Sequence, residues 1–207
     1  MPDQPAFATI DSLEALEALY GTPVAAATRK VADHVTPEYG AWIERSRFAV
    51  LVTVGPEGTD GSPRGDDGPV VRILDAGHLA LPDWRGNDRI DSLRNIVRDG
   101  RVSLMFMIPG STNVVRVNGR AVLSADPALL DGFARGGKTP RTVAVIRVAE
   151  IYFQCARALM RSRLWTAGDE SGGLPTAGQM LAAMTAGEVG GADYDRSWPE
   201  RARATLW

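Results

Sequence analysis

The chain has 207 residues, 44% hydrophobic and 23% charged, and its net charge of −2 excludes the broad positive surface that general nucleic-acid binding needs. That length suffices for one core with accessory helices, and a single cysteine excludes an internal disulfide and suits a reducing, cytoplasmic setting. The first residues read as no signal peptide, and no apolar run nears the roughly 20 residues that span a bilayer, so neither secretion nor membrane insertion is expected.

Residues 1–46 read as helices and connections. Asp11 with Glu14 makes a capping-box pattern ahead of Leu13, Leu16 and Leu19, and Thr36-Pro37 opens a helix carrying Ala41, Trp42 and Ile43. From Phe48 the pattern turns to β. FAVLVTV is followed by the turn sequence GPEG, and TDGSPRGD forms the return strand of a hairpin. Further strands are expected at residues 70–74, 78–81, 102–108, 113–124 and 142–155, several of them continuous apolar runs buried on both faces. A helix is expected over about 87–99 with Asn87 as its N-cap, a short one from Asp126-Pro127, and another over 176–186, where Thr176 and Gln179 fit a capping box. About six strands with one helix inserted after the third or fourth predict a mainly β chain with peripheral helices (α+β), a Greek-key-like barrel rather than alternating βαβ units. The whole of 1–207 reads as a single domain: an N-terminal helical segment 1–46, a barrel core 47–165, and a C-terminal loop and helix 166–207.

The segment 82–95, PDWRGNDRIDSLRN, carries the strongest functional signal. A strand stops at Pro82, a turn holds Trp84, Arg85, Gly86 and Asn87, and Ile90, Leu93, Ile96 and Val97 then take helical spacing. Free N–H groups and the dipole at a helix start favour a phosphate, and Arg85 and Arg89 add charge-assisted hydrogen bonds. Trp84 and Trp165 each neighbour arginines, the combination of apolar wall and cationic end that a flat heteroaromatic with a phosphate tail requires.

Other motifs point away from protein-borne chemistry. GFARGGKT at 132–139 matches the P-loop expression GxxxxGK[ST], but a helical pattern precedes it and a β run follows, so a P-loop phosphohydrolase is the disfavoured alternative. Arg64-Gly65-Asp66 is an RGD tripeptide that reads as a strand end. His34 and His78 are isolated and no metal is assigned. Neither a nucleophile elbow nor a carboxylate pair stands out, so no catalytic residue is identified and a cofactor is expected to carry any reaction. Cys155 reads as a small buried side chain.

Five segments, SPRGD at 62–66, LPDWRGNDRIDSLRNI at 81–96, RVSLMFMIPG at 101–110, VVRVNGRAVLS at 114–124 and EIYFQCARALMRSRLW at 150–165, occur in an order that resembles the pyridoxamine 5′-phosphate oxidase-like flavin-binding family. The resemblance covers about 48–165 and is closest to a bacterial subgroup of oxidase-related FMN-binding proteins. It implies a split β-barrel homodimer with FMN at the subunit interface and an FMN-dependent oxidoreductase acting on a small-molecule substrate; a flavin carrier or sensor without turnover is the alternative. By the same resemblance, the FMN phosphate would sit at Arg85, Asn87 and Arg89, beside Pro82, Asp83 and Trp84. Arg64 would lie on the flavin edge and Arg72 would supply the next strand's cation, either one stabilising the reduced ring. Asn113, Val114 and Arg116 would reach the ring or ribityl chain from the partner subunit, Phe153 would touch the flavin, and Arg163 would stand where the oxidase has a second arginine. Leu159 and Arg161 replace the oxidase's Arg–x–His constellation, which argues against pyridoxamine phosphate as substrate. Some relatives bind a deazaflavin or haem. FMN is expected ahead of a deazaflavin, and neither histidine suits haem.

Overall fold

The computed structural model describes residues 7–155 and 157–206. By its contacts the chain divides into two compact units, 1–31 and 32–207. In the first, α1 (Leu13–Glu17) is capped by Ser12, whose hydroxyl accepts the Ala15 N–H at 3.1 Å. The cap is thus Ser12 and not the expected Asp11, because Ser12 is the last extended residue before the helix. A second short helix, α2 (Ala25–Arg29), was not anticipated.

The second unit opens with α3 (Pro37–Arg45), capped by Thr36 with Pro37 in the first turn, as the sequence predicts. Seven strands follow: β1 (Phe48–Gly55), β2 (Gly58–Gly65), β3 (Arg72–Asp75), β4 (His78–Asp83), β5 (Arg101–Met107), β6 (Asn113–Ser124) and β7 (Thr142–Cys155). They form one antiparallel sheet in the order β2-β1-β5-β6-β7-β4-β3. The fold is therefore mainly β with peripheral helices, as expected. The strands number seven, one for each segment the sequence pattern marks, with β2 paired along its whole length and β3 irregular at Leu74.

Register explains the core. Leu51 on β1 stands opposite Leu104 on β5, Leu104 opposite Val117 on β6, and Val117 opposite Ile151 on β7. All four side chains are buried, so one row of branched apolar residues crosses four strands. Strand alternation places Ala49, Phe106 and Val115 in the next row. A bulge at Asn118/Gly119 shifts the β6–β7 register. Only glycine fits there, since a Cβ on Gly119 would stand 2.2 Å from the Arg147 carbonyl oxygen.

Helix α4 (Asp91–Arg98) lies against β1, burying Ile96. Asn95 donates from its amide to Thr53 Oγ1 at 3.1 Å, and a Cβ on Gly55 would meet Asn95 Oδ1 at 2.1 Å. Ser92 donates to Asp60 on β2 at 2.5 Å. The short α5 (Pro127–Asp131) starts at its Asp126 cap as predicted. The last strand ends at Cys155, and the chain then turns into α6 (Arg157–Ser162), whose Ala-Leu-Met run favours a helix. Cys155 is exposed, not buried as expected, because it stands at the strand's end.

Two further helices complete the unit. In α7 (Ala177–Met184), Thr176 and Gln179 form the predicted capping box. The final helix, α8 (Gly191–Ala204), was not anticipated; Pro199 inside it interrupts the sequence signal. The α7–α8 contact is very close, with Asp195 accepting the Gly178 N–H at 2.8 Å. A Cβ on Gly178 would stand 2.3 Å from the Gly191 carbonyl. No helix among the described residues is long and apolar enough to cross a membrane.

Candidate cofactor cleft

The turn between β4 and α4 forms one wall of a cleft of about 1710 Å³, with β2 beside it and the C-terminal half of α8 contributing a further wall. The turn does not have the expected cap. Asn87 Oδ1 accepts the Arg89 N–H at 3.2 Å, which closes an Asx turn ahead of the helix. Asp88 and Ile90 have φ of 60° and 53°, so helical geometry begins only at Asp91. Ile90 occupies the N-cap and offers no side-chain acceptor, which leaves the first amides of α4 without a side-chain cap.

The tripeptide Arg64-Gly65-Asp66 serves the cleft from inside. Arg64 donates to Asp83 Oδ1 at 2.8 Å, each side chain being 20% exposed, so strands β2 and β4 are joined by a half-sheltered ion pair. Its Nε is buried and has no hydrogen-bond partner. Asp66, with a side chain only 3% exposed, accepts the Gly68 N–H at 3.2 Å, the Trp84 indole N–H at 3.0 Å and the Arg135 guanidinium. Trp84 is thereby oriented by a buried carboxylate two residues past Arg64.

Seven arginines line the cleft: Arg64, Arg85, Arg89, Arg94, Arg98, Arg141 and Arg201. Most are already paired. Arg89 holds Asp91 at 2.8 Å, Arg94 reaches Asp91 at 3.7 Å, Arg98 holds Glu57 at 2.9 Å, and Arg141 holds Asp88 at 2.7 Å. Arg85 and Arg201 are the two cleft guanidiniums with no carboxylate partner among the described residues. Arg85 is exposed on the turn next to the uncapped helix start; Arg201 lies on α8.

The structure divides the expected site residues into two groups. Arg64, Pro82, Asp83, Trp84, Arg85, Asn87 and Arg89 line the cleft. Arg72 does not: it donates to the Gly132 carbonyl at 2.5 Å and lies 4.1 Å over the Phe133 ring. Asn113, Val114, Arg116 and Phe153 gather at the opposite end of the β6–β7 pair. There Arg116 stacks on Tyr152 at 5.4 Å and donates to Gln154 at 3.4 Å. Arg163 follows α6 with φ 52°, close in sequence to Trp165, whose indole donates to the Ser111 carbonyl at 2.9 Å. Since Leu123 near the end of β6 lines the cleft, the two groups stand at least about 23 Å apart along that strand.

Asp66, Arg141, Trp198 and Arg201 are among the cleft residues that sequence reasoning did not assign to the site. Tyr194, Trp198 and Arg201 do follow i, i+4, i+7 spacing, a helical signal that Pro199 obscured. The P-loop look-alike is resolved by geometry. Arg135 and Lys138 exchange backbone hydrogen bonds of 2.8 and 2.9 Å around Gly136 and Gly137, whose φ values are 51° and 77°. This is a two-residue hairpin turn leading to a strand, with no helix to receive phosphates. His34 and His78 pair with Asp33 and Asp75, and no group of three potential ligands for a metal occurs among the described residues.

An antiparallel sheet with peripheral helices and an arginine-rich cleft beside its β4 end defines a small, mainly β protein. The chain belongs to the family described as Pyridoxamine 5′-phosphate oxidase, which matches residues 35–155. No curated protein matches it. Among solved structures, it is similar to HupZ of Group A Streptococcus (20% identity, TM-score 0.48, 59% of this chain and 95% of that one). It is also similar to General Stress Protein 26 of Bacillus anthracis (16%, 0.43, 55% and 88%). An FMN-binding protein of Syntrophomonas wolfei is a third (14%, 0.44, 55% and 82%).

Proposed function

We propose that this protein binds FMN in the cleft and acts, as a cytoplasmic homodimer, as an FMN-dependent oxidoreductase on a small substrate. The observation that carries the reading is Arg85: a cation without a carboxylate partner, on a turn that presents the uncapped start of α4. Helix amides and a guanidinium together make a phosphate cradle. The residues fit the cofactor in two further respects. Trp84, held by Asp66, gives a rigid apolar wall, and Arg64 ties β2 to β4 beside it. Bound FMN would supply two-electron redox chemistry. The protein's own residues would hold the phosphate and fix the ring's surroundings, and none of them is assigned as nucleophile or proton donor.

The two separated groups support the homodimer. A single FMN cannot touch Arg85 and Arg116 of one chain across about 23 Å of β6, but a second copy could bring its Arg116 end to this cleft. The test is direct. Titrated FMN should give a saturable change in flavin fluorescence and a protein-bound flavin spectrum, with riboflavin binding much more weakly. A preparation that takes up no FMN removes the reading.

A further inference from the structure

Arg201 is unusual among the cleft arginines because, among the described residues, aromatic rings rather than a carboxylate hold it. Its guanidinium lies 4.7 Å over the Tyr194 ring and 5.3 Å over the Trp198 ring. The two rings stack with centroids 6.1 Å apart and planes within 11°. The cation is therefore positioned by neighbours that do not neutralise it. Beside it, Trp198 remains 49% exposed and Leu206 62% exposed, so the same wall carries apolar surface. The acids that line the cleft have other partners: Asp66 pairs with Trp84 and Arg135, Asp83 with Arg64, Asp88 with Arg141, Asp91 with Arg89, Asp60 with Ser92 and, loosely at 4.0 Å, Asp67 with Arg47. The volume is also more than one ligand needs. At about 1710 Å³ the cleft exceeds the roughly 300–1,000 Å³ of an ordinary ligand pocket.

We propose that Arg201 and Trp198 on α8 form a second ligand subsite, the one that selects substrate, and that it takes a small carboxylate with a flat or apolar body. The carboxylate pairs with the Arg201 guanidinium, and the body lies on the exposed indole. The assignment of this ligand as substrate rests on the flavin reading above. Arg85 then serves the cofactor phosphate and Arg201 the substrate anion, one uncompensated cation for each. Tyr194 is a positioning residue that keeps the guanidinium over the rings.

Benzoate and its neutral isostere benzamide are suitable probes, titrated into the full chain with and without FMN while the Trp198 indole N–H is followed by NMR. Benzoate should shift that resonance saturably and bind at least tenfold tighter than benzamide. Arg201→Gln should weaken benzoate at least tenfold, Arg201→Lys should restore part of the loss, and FMN affinity should stay within twofold in both. Arg201 is exposed, so neither variant threatens folding. Equal binding of benzoate and benzamide, or an Arg201→Gln variant that keeps benzoate, would overturn the subsite. A parallel loss of FMN would also overturn it, by assigning Arg201 to the cofactor. Should wild type take up no FMN while benzoate still binds through Arg201, the anion subsite stands and the flavin reading alone falls.

Discussion

The indole of Trp84 donates to Asp66 Oδ2 at 3.0 Å, across the cleft floor from β4's end to the residue that follows β2. The carboxylate also serves Gly68 and Arg135, so one nearly buried group fixes a turn, a ring and a distant loop. Asp66→Ala should lower stability by about 1–2 kcal/mol, because it strands the half-buried Trp84 indole N–H and Gly68 N–H. Chemical denaturation measures the loss, and the Trp84 emission should shift red as the ring gains freedom. An unchanged midpoint and spectrum would show that the network has no energetic role.

Arg85 and Arg89 should separate. Charge-assisted hydrogen bonds contribute roughly 1.5–3 kcal/mol, so Arg85→Ala should weaken FMN about tenfold or more and leave riboflavin nearly unaffected. Arg89 is already held by Asp91 at 2.8 Å, and its removal should cost FMN binding less. The sequence offers Arg85 and Arg89 alike; the ion pair to Asp91 is what sets Arg89 apart. Parallel titrations of both flavins into both variants decide the order.

Mixed dimers test the shared site. Arg85→Ala and Arg116→Ala should each impair both sites of a homodimer. Heterodimers formed by co-expressing the two variants should recover one intact site, and hence about half the FMN stoichiometry at wild-type affinity. Recovery of no tight site would place both residues on the same chain's ligand or on none.

Acid should remove the contribution of Asp99. Its carboxyl is held at about 2, first by the side-chain hydrogen bonds of Arg101 and then by the Arg101 backbone N–H, at 2.7 and 3.0 Å. A carboxyl lowered in the folded state stabilises fully above its unfolded value near 4 and loses that effect as pH falls to about 2. Asp99→Asn should therefore be less stable than wild type at pH 7, with the gap narrowing below pH 4 and closing near pH 2. Denaturation curves at pH 7, 4 and 2 provide the check.

Gly119→Ala should destabilise by at least about 2 kcal/mol, because the new Cβ would stand 2.2 Å from a backbone oxygen that cannot move without breaking the β6–β7 pairing. Thermal unfolding compared with an exposed control, Gly61→Ala, which meets nothing within 4 Å, isolates the steric effect.

What could be read from residues alone follows from how local each signal is. The strands were legible because alternation and β-branching persist through β1, β5, β6 and β7. The caps at Thr36, Asp126 and Thr176 were legible because a cap needs only its own next three residues. The start of α4 was not, since the left-handed residues Asp88 and Ile90 leave no mark in composition. In the cleft, Arg85 and Trp84 announced themselves by sitting together on a turn. Asp66 did not, because its partners are 18 and 69 positions away. Arg201 was hidden for the same reason: nothing local says which strand end a C-terminal helix will face.

Every strand of the sheet is complete at Cys155, whereas the wall bearing Trp198 and Arg201 belongs to a helical hairpin that begins only at Ala177. Sheet and α8 wall are thus encoded in consecutive stretches of the chain. Exchanging α7 and α8 for another hairpin of equal length would change what the cleft admits without editing one residue of β-structure. Through such a swap, a lineage can reshape one wall of the cleft while the β4–α4 turn stays as it was.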